Sequence, residues 1–318
     1  MKAKRGKLLP FFYYLRGIGR RLLPRPVRRL QRNMLLKDWE KRPDADYIRR
    51  RVDFYCRRSF LPNSEAIKAG EVELMDTPSA YIVDIQRYLR AFRFGTRLNY
   101  RGGDTPPGTN PRIPTIIRSR RIDDLRDNGV LMNVNHRRHF LNPVDPIPFS
   151  EKKPLLFFRG EMEGKPERKR FLELWKDSTL MDVGDTCHPW DAPGHRPPVK
   201  LTDHFQYKFI LVLEGNDVAS SLQWVMRSNC VPVMIRPSVE GWLMHSALEP
   251  GVHYIEIASD FSDVEEKIRW AIDHPEECEK ISKASTEWTN QFRDKRRENI
   301  ISYLVLKKYL NMKLSPDA

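Results

Sequence analysis

The chain has 318 residues, of which 40% are hydrophobic and 31% are charged. This length suits two compact domains, and the balance is that of a soluble globular protein. The four cysteines share no CxxC spacing, which favours a reducing compartment and argues against a disulfide framework or a structural zinc site; they are Cys56, Cys187, Cys230 and Cys278.

The first 58 residues form a basic arm. They contain 19 lysines and arginines against 5 aspartates and glutamates, so the net charge of +14 lies here and the rest of the chain is close to neutral. The apolar run from Leu8 to Leu15 contains Pro10 and is much shorter than the ~20 apolar residues that cross a membrane. A secretory signal would need a small-residue cleavage site after the run, where Arg20-Arg21 stands instead.

Three interpretations of this arm remain open. Four aromatic residues from Phe11 to Tyr14 lie among cations, as is typical of a segment at the surface of an anionic membrane. A solvated cationic tail is the plain alternative. Nucleic-acid binding is disfavoured because no recognised nucleic-acid module follows the arm. We therefore expect residues 1–37 to contact an anionic membrane surface and expect no nucleic-acid partner.

The segment after the arm predicts helices followed by short strands. Residues 44–60 and 79–94 carry apolar side chains at helical spacing. The proline-rich stretch from Pro143 to Pro154 is the best candidate for a domain boundary. The strand-like pieces are 96–100, 114–118 and 130–134, with the loop RGGDTPPGTNP between the first two.

Beyond residue 153, apolar strands alternate with helices. The predicted strands are 154–158, 208–213, 230–235 and 251–258, and the predicted helices are 168–176, 218–228 and 263–274, with a further helix starting at Pro275. This alternation predicts a doubly wound parallel sheet that is covered on both faces. Ligands of such sheets bind at the carboxyl ends of the strands, beside helix N-termini.

Two strand ends carry residues suited to an anion. The stretch EGNDVASS, residues 214–221, places Gly215, Asn216 and Asp217 at a turn and Ser220 and Ser221 in the first turn of the predicted helix. Unpaired N–H groups and the helix dipole favour a phosphate there, although an ordinary turn with Asn216 or Asp217 as N-cap has the same sequence pattern.

The second strand end is FFRGEMEGKPERKRF, residues 157–171. It ends with Arg159-Gly160 and places Arg168 at the start of the next helix. Arginine clamps a phosphate in two directions, so two basic strand ends in one sheet can hold a diphosphate without a metal. Solvent-exposed arginines remain the plain alternative.

These stretches, together with YKFILVLEGNDVASSLQWVMRSNCVPVM and LEPGVHYIEI, resemble glycosyltransferase family 90. The resemblance covers roughly residues 80–290 in order and is closest to the bacterial lipopolysaccharide branch. It implies a GT-B architecture, with two Rossmann-like domains facing a cleft, and a UDP-hexose donor held mainly by the second domain. It further implies inversion at the anomeric carbon and no divalent metal.

The resemblance also implies a catalytic base. In the family an aspartate of the first domain has this role, and YRGGDTPPGTNPRIPTIIRSRRI puts Asp104 in its place. Aspartate is ordinarily ionised at neutral pH and can accept the proton of an attacking hydroxyl. A plain turn aspartate is the alternative.

The chain departs from the family pattern at Gln223, where a cation is common, and at His245, where bacterial relatives tend to carry an acid. Gln223 puts leaving-group stabilisation in doubt, and His245 puts sugar specificity in doubt. Glu240 is expected near the sugar. A glycan-binding protein without activity, and a transferase acting on a protein acceptor, remain alternatives.

Rival motifs are weaker. Asp44-Ala45-Asp46 matches the DxD of metal-dependent transferases, but it opens an arginine-rich helix, which favours capping. The loop 184–195 contains Asp185, Cys187, His188, Asp191 and His195 in no closed zinc pattern. His136 and His139 lack a nearby carboxylate. The dinucleotide and P-loop signatures are missing from the sequence.

The sequence therefore predicts three regions. These are a membrane-associated arm, residues 1–58; an acceptor-side domain with the base, residues 59–149; and a donor domain, residues 150–318. The expected location is the cytoplasmic face of the inner membrane, and the expected partners are a UDP-sugar and a lipopolysaccharide-type acceptor.

Overall fold

The computed structural model describes residues 3–75, 79–105, 109–134, 143–187 and 194–312. Helices α1 to α10 are, in chain order, Ala3–Leu22, Arg25–Leu36, Ala45–Tyr55, Ser79–Leu89, Pro166–Trp175, Leu201–His204, Leu222–Val225, Val264–Asp273, Pro275–Asn290 and Lys295–Tyr309. Strands β1 to β11 are Ile67–Lys68, Arg97–Leu98, Thr115–Ile117, Arg120–Arg121, Gly129–Leu131, Lys153–Gly160, Met181–Asp185, Tyr207–Leu211, Val231–Met234, Val239–Glu240 and Ile255–Glu256.

Internal contacts divide the chain into two compact units. The first comprises Met1–Phe140, Val239–Trp242 and Phe292–Ala318, and the second comprises Leu141–Ser238 and Leu243–Gln291. The division differs from the predicted one in two ways: the arm belongs to the first unit, and so do α10 and the short segment that contains β10. The roles predicted for the three regions remain predictions, and the bounds of the two structural units differ from the bounds of those regions.

The second unit contains the predicted parallel sheet. Its five strands lie in the order β11-β9-β8-β6-β7, and every neighbouring pair is parallel. Runs such as LLFF in β6 are apolar at every position because both faces of a parallel sheet are covered. Phe158 and Leu211 belong to a core shared with Phe171 of α5 and Ile268 of α8. The ring of Phe157 stacks on Tyr207 and makes an edge-to-face contact with His204 of α6.

The helix predicted over 218–228 is wrong in extent. Only Leu222–Val225 is helical, and residues 216–221 form bends and turns. Two further differences concern strands. The polar stretch after α5 contains β7, an edge strand in which buried Met181 and Val183 alternate with more exposed residues. The run 251–258 forms only the two-residue strand Ile255–Glu256.

In its described residues, the first unit consists of helices and two-stranded sheets. β1 pairs with β2 and β4 with β10 in antiparallel fashion, whereas β3 and β5 are parallel. The Rossmann-like sheet that the GT-B prediction requires in this half is thus not confirmed. The chain is a mixed α/β protein whose parallel sheet lies in the second unit.

The basic arm is folded onto the first unit as α1 and α2. Gly17 of α1 approaches α4 so closely that a Cβ atom there would lie 2.8 Å from Cγ1 of Val83. The hydroxyl of Tyr13 donates to the carbonyl oxygen of Ala80 at 3.0 Å. None of the described helices combines the length and the apolar character needed to cross a bilayer.

A buried ion pair connects three distant segments of the first unit. Arg51 of α3 donates to both carboxylate oxygens of Glu298 in α10, at 2.7 and 3.0 Å, and the Arg51 side chain is 1% exposed. The indole nitrogen of Trp242 donates to the same carboxylate at 2.6 Å. The Trp242 ring stacks on Tyr55 at 3.9 Å. This cluster explains why residues 239–242 belong to the first unit.

Glu298→Gln is expected to lower the free energy of unfolding by about 3–5 kcal/mol, because the buried Arg51 guanidinium loses its counter-charge. The measurement is urea unfolding followed by circular dichroism. Glu277→Gln is the matched control, since it removes an exposed pair with Lys280 at 2.7 Å and should change stability little. Equal losses in the two variants would contradict a stabilising role for the buried pair.

Candidate functional site

The strand order of the second unit puts its topological switch point at the ends of β6 and β8. The chain runs from β6 to β7 on one side of the sheet and then crosses to β8, β9 and β11 on the other side. The order reverses between β6 and β8, and open α/β sheets bind ligands outside the carboxyl ends of their strands at such a point. These are the two strand ends that the sequence analysis selected.

Arg168 spans these two strand ends. One of its terminal nitrogens, Nη1, donates to the carbonyl oxygen of Glu161 and the other, Nη2, to that of Leu213, each at 3.3 Å. Burial lowers the pKa of the Arg168 guanidinium, while the carboxylates of Glu161 and Glu167 act in the opposite direction. The third guanidinium nitrogen, Nε, has no hydrogen-bond partner in the described part of the chain. Because arginine stays protonated in proteins, a cation lies between the strand ends.

Two glycines leave room beside this cation. A Cβ atom at Gly215 would lie 3.2 Å from Nη2 of Arg168, and one at Gly160 would lie 3.7 Å from Nη1. Any larger residue at position 215 would crowd the guanidinium. A second cation lies nearby, because Lys165 donates to the side-chain oxygen of Asn216. Gly160, Lys165, Arg168, Gly215 and Asn216 are thus brought together at one edge of the sheet.

The residues after Gly215 hold the turn in place. The amide of Gly215 donates to the carbonyl oxygen of Asp217 at 3.2 Å, and the carboxylate of Asp217 accepts from the amide of Val218 at 2.6 Å. Glu214 accepts from both the amide and the hydroxyl of Ser238, and the amide contact measures 3.0 Å. This bonding makes the turn a rigid frame beside Arg168.

The helix predicted to begin at Val218, with Ser220 and Ser221 in its first turn, begins one turn later, at Leu222. Ser221 is the N-cap of the four-residue helix α7, and its side chain makes no capping hydrogen bond. Gln223 follows inside this helix with 4% exposure, and its side-chain nitrogen has no hydrogen-bond partner in the described residues. A helix this short supplies little dipole, so the helix start that the sequence analysis expected to favour a phosphate contributes little here.

Arg159 lies on the opposite face of β6 from Gly160. Its guanidinium pairs with the carboxylate of Asp182 at 2.5 Å and lies 4.5 Å from the centre of the Phe157 ring. Arg168 instead lies over Phe158. Since successive side chains of a strand point to opposite faces, Arg159 and Arg168 do not converge on one ligand atom in this structure.

Asp104 belongs to the first unit, where two side chains hold its carboxylate. The hydroxyl of Tyr81 and Nη2 of Arg118 each lie 3.1 Å from the same oxygen, Oδ1. The side chain of Arg118 is 6% exposed and that of Asp104 is 36% exposed, so the carboxylate is accessible and its orientation is constrained. Gly103 precedes it with φ +90°, a conformation that favours glycine.

Glu240 also lies in the first unit, in contrast to its predicted place in the donor domain. It is 2% exposed and pairs with Arg120 across the β4–β10 ladder. One of its carboxylate oxygens, Oε1, accepts from the amide of Gly241 at 3.2 Å. Its proposed contact with the sugar rests on the sequence alone.

A pocket of about 640 Å³ opens in the first unit near the Asp104 loop. Amide, guanidinium and apolar side chains line it, and Arg101 in this lining precedes Asp104 by three residues. Its lining residues are Asn63, Ser64, Glu65, Ile67, Met75, Asn99, Tyr100, Arg101, Asn110, Pro111, Arg112, Ile113 and Thr115. This size and mixed polarity are typical of small-molecule sites.

The rival motifs take structural roles where the structure describes them. Asp44 begins α3 as expected, but its carboxylate pairs with Arg42 at 2.7 Å and Arg297 at 3.3 Å and caps no amide. Asp185 accepts from the amides of Met162 and Cys187. Across the described ranges, no group of three or more His, Cys, Asp or Glu side chains could hold a metal ion. His136, His139, His188 and Asp191 lie outside the described residues.

Sequence reasoning missed three neighbours of the predicted residues. Lys165 stands directly before the proline that begins α5, and a cation at that position was a usable signal. Tyr81 and Arg118 are 23 and 14 residues from Asp104 along the chain. Nothing local in the sequence connects them to it, because the connection arises from the packing of α4 against the loop.

Comparisons with known proteins identify the family of this chain. The model of glycosyl transferase family 90 matches residues 133–314. The O-glucosyltransferase LpsA of Dichelobacter nodosus is 38% identical over 237 residues, which are 74% of this chain and 73% of that protein.

More distant relatives match a smaller part. Protein O-glucosyltransferase 2 of Danio rerio is 33% identical over 151 residues, 44% of this chain and 29% of that protein. Protein O-glucosyltransferase 3 of Homo sapiens is 29% identical over 159 residues, 48% of this chain and 31% of that protein. With the family match covering more than half of its length, this chain belongs to glycosyltransferase family 90 and is a glycosyltransferase.

Proposed function

We propose that the chain transfers a hexose from a UDP-sugar to a hydroxyl of a lipopolysaccharide, lipooligosaccharide or related cell-surface glycan. The reaction inverts the anomeric carbon and needs no divalent metal. In this proposal the two units correspond to the two domains of a GT-B transferase, and the reaction takes place at the cytoplasmic face of the inner membrane. The O-glucosyltransferase LpsA, which aligns with most of this chain, supports transfer of a hexose to a hydroxyl.

The observation that carries the proposal is the position of Arg168 between the ends of β6 and β8. A diphosphate placed against Gly160 and Gly215 would meet the Arg168 guanidinium, with Lys165 close by. As the bond between the sugar and UDP breaks, negative charge accumulates on the departing phosphate, and fixed cations stabilise it most at that moment. The same two cations support a reaction that is independent of metal.

Asp104 serves as the general base in this proposal. It takes the proton of the acceptor hydroxyl while that oxygen bonds to the anomeric carbon and the bond to UDP breaks on the opposite side, which inverts the centre. Tyr81 and Arg118 occupy one carboxylate oxygen and leave the other for the acceptor. The pocket of about 640 Å³ near the Asp104 loop is large enough to take a sugar of the acceptor.

A protein acceptor is the second candidate. It is favoured by the relatives from Danio rerio and Homo sapiens, whose names specify protein O-glucosyltransferases. Each of these matches less than half of the chain, so the glycan acceptor is preferred.

The test is a panel of UDP-Glc, UDP-Gal, UDP-GlcNAc and UDP-Xyl. One of these donors should raise the melting temperature, because a ligand that binds only the folded state stabilises it. UDP release from that donor should persist in excess EDTA, and proton NMR should show an anomeric configuration opposite to that of the donor. Failure of every donor to bind, loss of activity in EDTA, or retention of configuration would each contradict part of the proposal.

A further inference from the structure

The arm uses some of its arginines to attach itself to the protein. Arg25 donates to the carbonyl oxygen of Phe92 and Arg32 to that of Ala91, each at 3.2 Å. Arg90 donates from the other side to the carbonyl oxygen of Arg21 at 2.6 Å. These hydrogen bonds hold α1 and α2 against the carboxyl end of α4. The side of the two helices that faces away from α4 is therefore a fixed surface.

That outward face is apolar. Seven large hydrophobic side chains are exposed within 23 consecutive residues; they are Phe12, Leu15, Leu22, Leu23, Val27, Leu30 and Met34. Val27, Leu30 and Met34 follow helical spacing along α2, and Leu15 and Leu22 lie two turns apart on α1. Scattered exposed apolar residues are normal, whereas a cluster of them marks an interaction surface.

A cluster of four arginines lies beside this face. Arg20 is half-buried, and the positive charges of Arg87, Arg16 and Arg28 act on it. Burial has the larger effect and these like charges the smaller, and together they lower the pKa of Arg20 to about 10. Among the residues that the structure describes, none of the four forms an ion pair with a carboxylate. Arg28 binds Gln31 and a carbonyl oxygen, and Arg87 binds Asn299.

The acids near this cluster do not neutralise it. The first acidic residue of the chain is Asp38, beyond the end of α2. Asp84 of α4 is 1% exposed, and its negative charge contributes, after burial, to raising the pKa of the Tyr13 hydroxyl. Crowded cations that form no ion pair with a carboxylate in the described part of the chain favour an anion from outside, and phosphate oxygens suit arginine in particular.

We propose that α1 and α2 form a docking surface for a bilayer that contains anionic phospholipids. The seven apolar side chains enter the interfacial layer, and Arg16, Arg20, Arg28 and Arg87 bind lipid phosphates. A nucleic acid would match the charges but would leave the apolar side chains in water, which favours the bilayer. The inference rests on the proposed membrane location of the acceptor and not on the transfer chemistry.

The test uses the full chain and vesicles of phosphatidylcholine, with or without roughly 30% phosphatidylglycerol, in a flotation assay at about 150 mM salt. Leu22→Ser/Leu30→Ser/Met34→Ser removes apolar contacts, and Arg16→Gln/Arg20→Gln removes two charges. Each variant should bind anionic vesicles about tenfold more weakly or worse. Neutral vesicles should bind the native chain poorly.

The controls are Leu74→Ser/Leu125→Ser, which removes exposed apolar side chains elsewhere, and Lys169→Gln/Lys283→Gln, which removes two exposed positive charges elsewhere. Unchanged binding in the test variants, or equal losses in the controls, would overturn the proposal. So would tighter binding to duplex DNA than to anionic vesicles, or self-association of the chain that the apolar variant abolishes. UDP release from the donor is measured in parallel: if the native chain releases UDP but does not bind anionic vesicles, the docking surface is refuted and the proposed transfer activity is not.

Discussion

Asp104→Asn is expected to lower the rate of sugar transfer by about 10²–10⁴-fold, because an amide cannot accept the proton of the attacking hydroxyl. UDP affinity should stay unchanged, since the proposed diphosphate site lies at the ends of β6 and β8 in the other unit. The measurements are initial rates with the donor that stabilises the native protein, and calorimetric titration with UDP. Turnover close to that of the native chain would refute Asp104 as the base.

This variant has a structural side effect that the experiment must separate. Arg118 is 6% exposed and keeps its charge when the Asp104 carboxylate is lost. A lowered melting temperature would show that the unpaired Arg118 charge destabilises the variant. Rates are therefore compared at a temperature at which both proteins are folded. Asp123→Asn is the matched control, because it alters a 78% exposed aspartate of the same unit and should leave transfer unchanged.

Arg168→Ala is expected to weaken UDP binding by about 10–100-fold, the usual worth of a hydrogen-bonded charge. The rate at saturating donor should fall by a further factor of about 10²–10³, because the guanidinium stabilises the leaving phosphate more strongly as charge develops. Calorimetry with UDP measures the first effect and steady-state kinetics at saturating donor measures the second.

Arg170→Ala provides the control on the same helix. It removes an identical charge from an exposed position two residues away, so long-range electrostatic effects are matched. If both variants weaken UDP binding equally, the affinity depends on the general positive charge of α5 and not on the specific position of Arg168. Unchanged UDP affinity in Arg168→Ala would refute the diphosphate site at the ends of β6 and β8.

Much of the second unit could be predicted because its signals are local. Unbroken apolar runs identified β6, β8 and β9, and the 3–4 spacing of apolar residues identified α8. β7 was not predicted because Met181 and Val183 are its only large apolar residues, and Asp182, Gly184 and Asp185 make the stretch look polar. The short extent of α7 was not predictable either, since residues 216–221 are held by turn contacts that helical periodicity does not register.

In the candidate site, too, only part of the arrangement was predictable from the sequence. The two strand ends and Asp104 were selected from the sequence, through turn chemistry and the resemblance to glycosyltransferase family 90. The sequence did not predict which arginine, Arg159 or Arg168, lies between the ends of β6 and β8. The alternation along β6 puts Arg159 and Gly160 on different faces, but only the position of α5 decides which face Arg168 covers.

By itself, the sequence determined the family, the parallel sheet and the concentration of cations in the first 58 residues, because each is written in a local pattern or an ordered set of motifs. Only the tertiary structure decided that Arg159 pairs with Asp182, that Tyr81 and Arg118 hold Asp104, and that the arm attaches to α4 with its apolar side outward. Those contacts join residues far apart in the chain. Their formation depends on which surfaces pack together, and no local pattern encodes that choice.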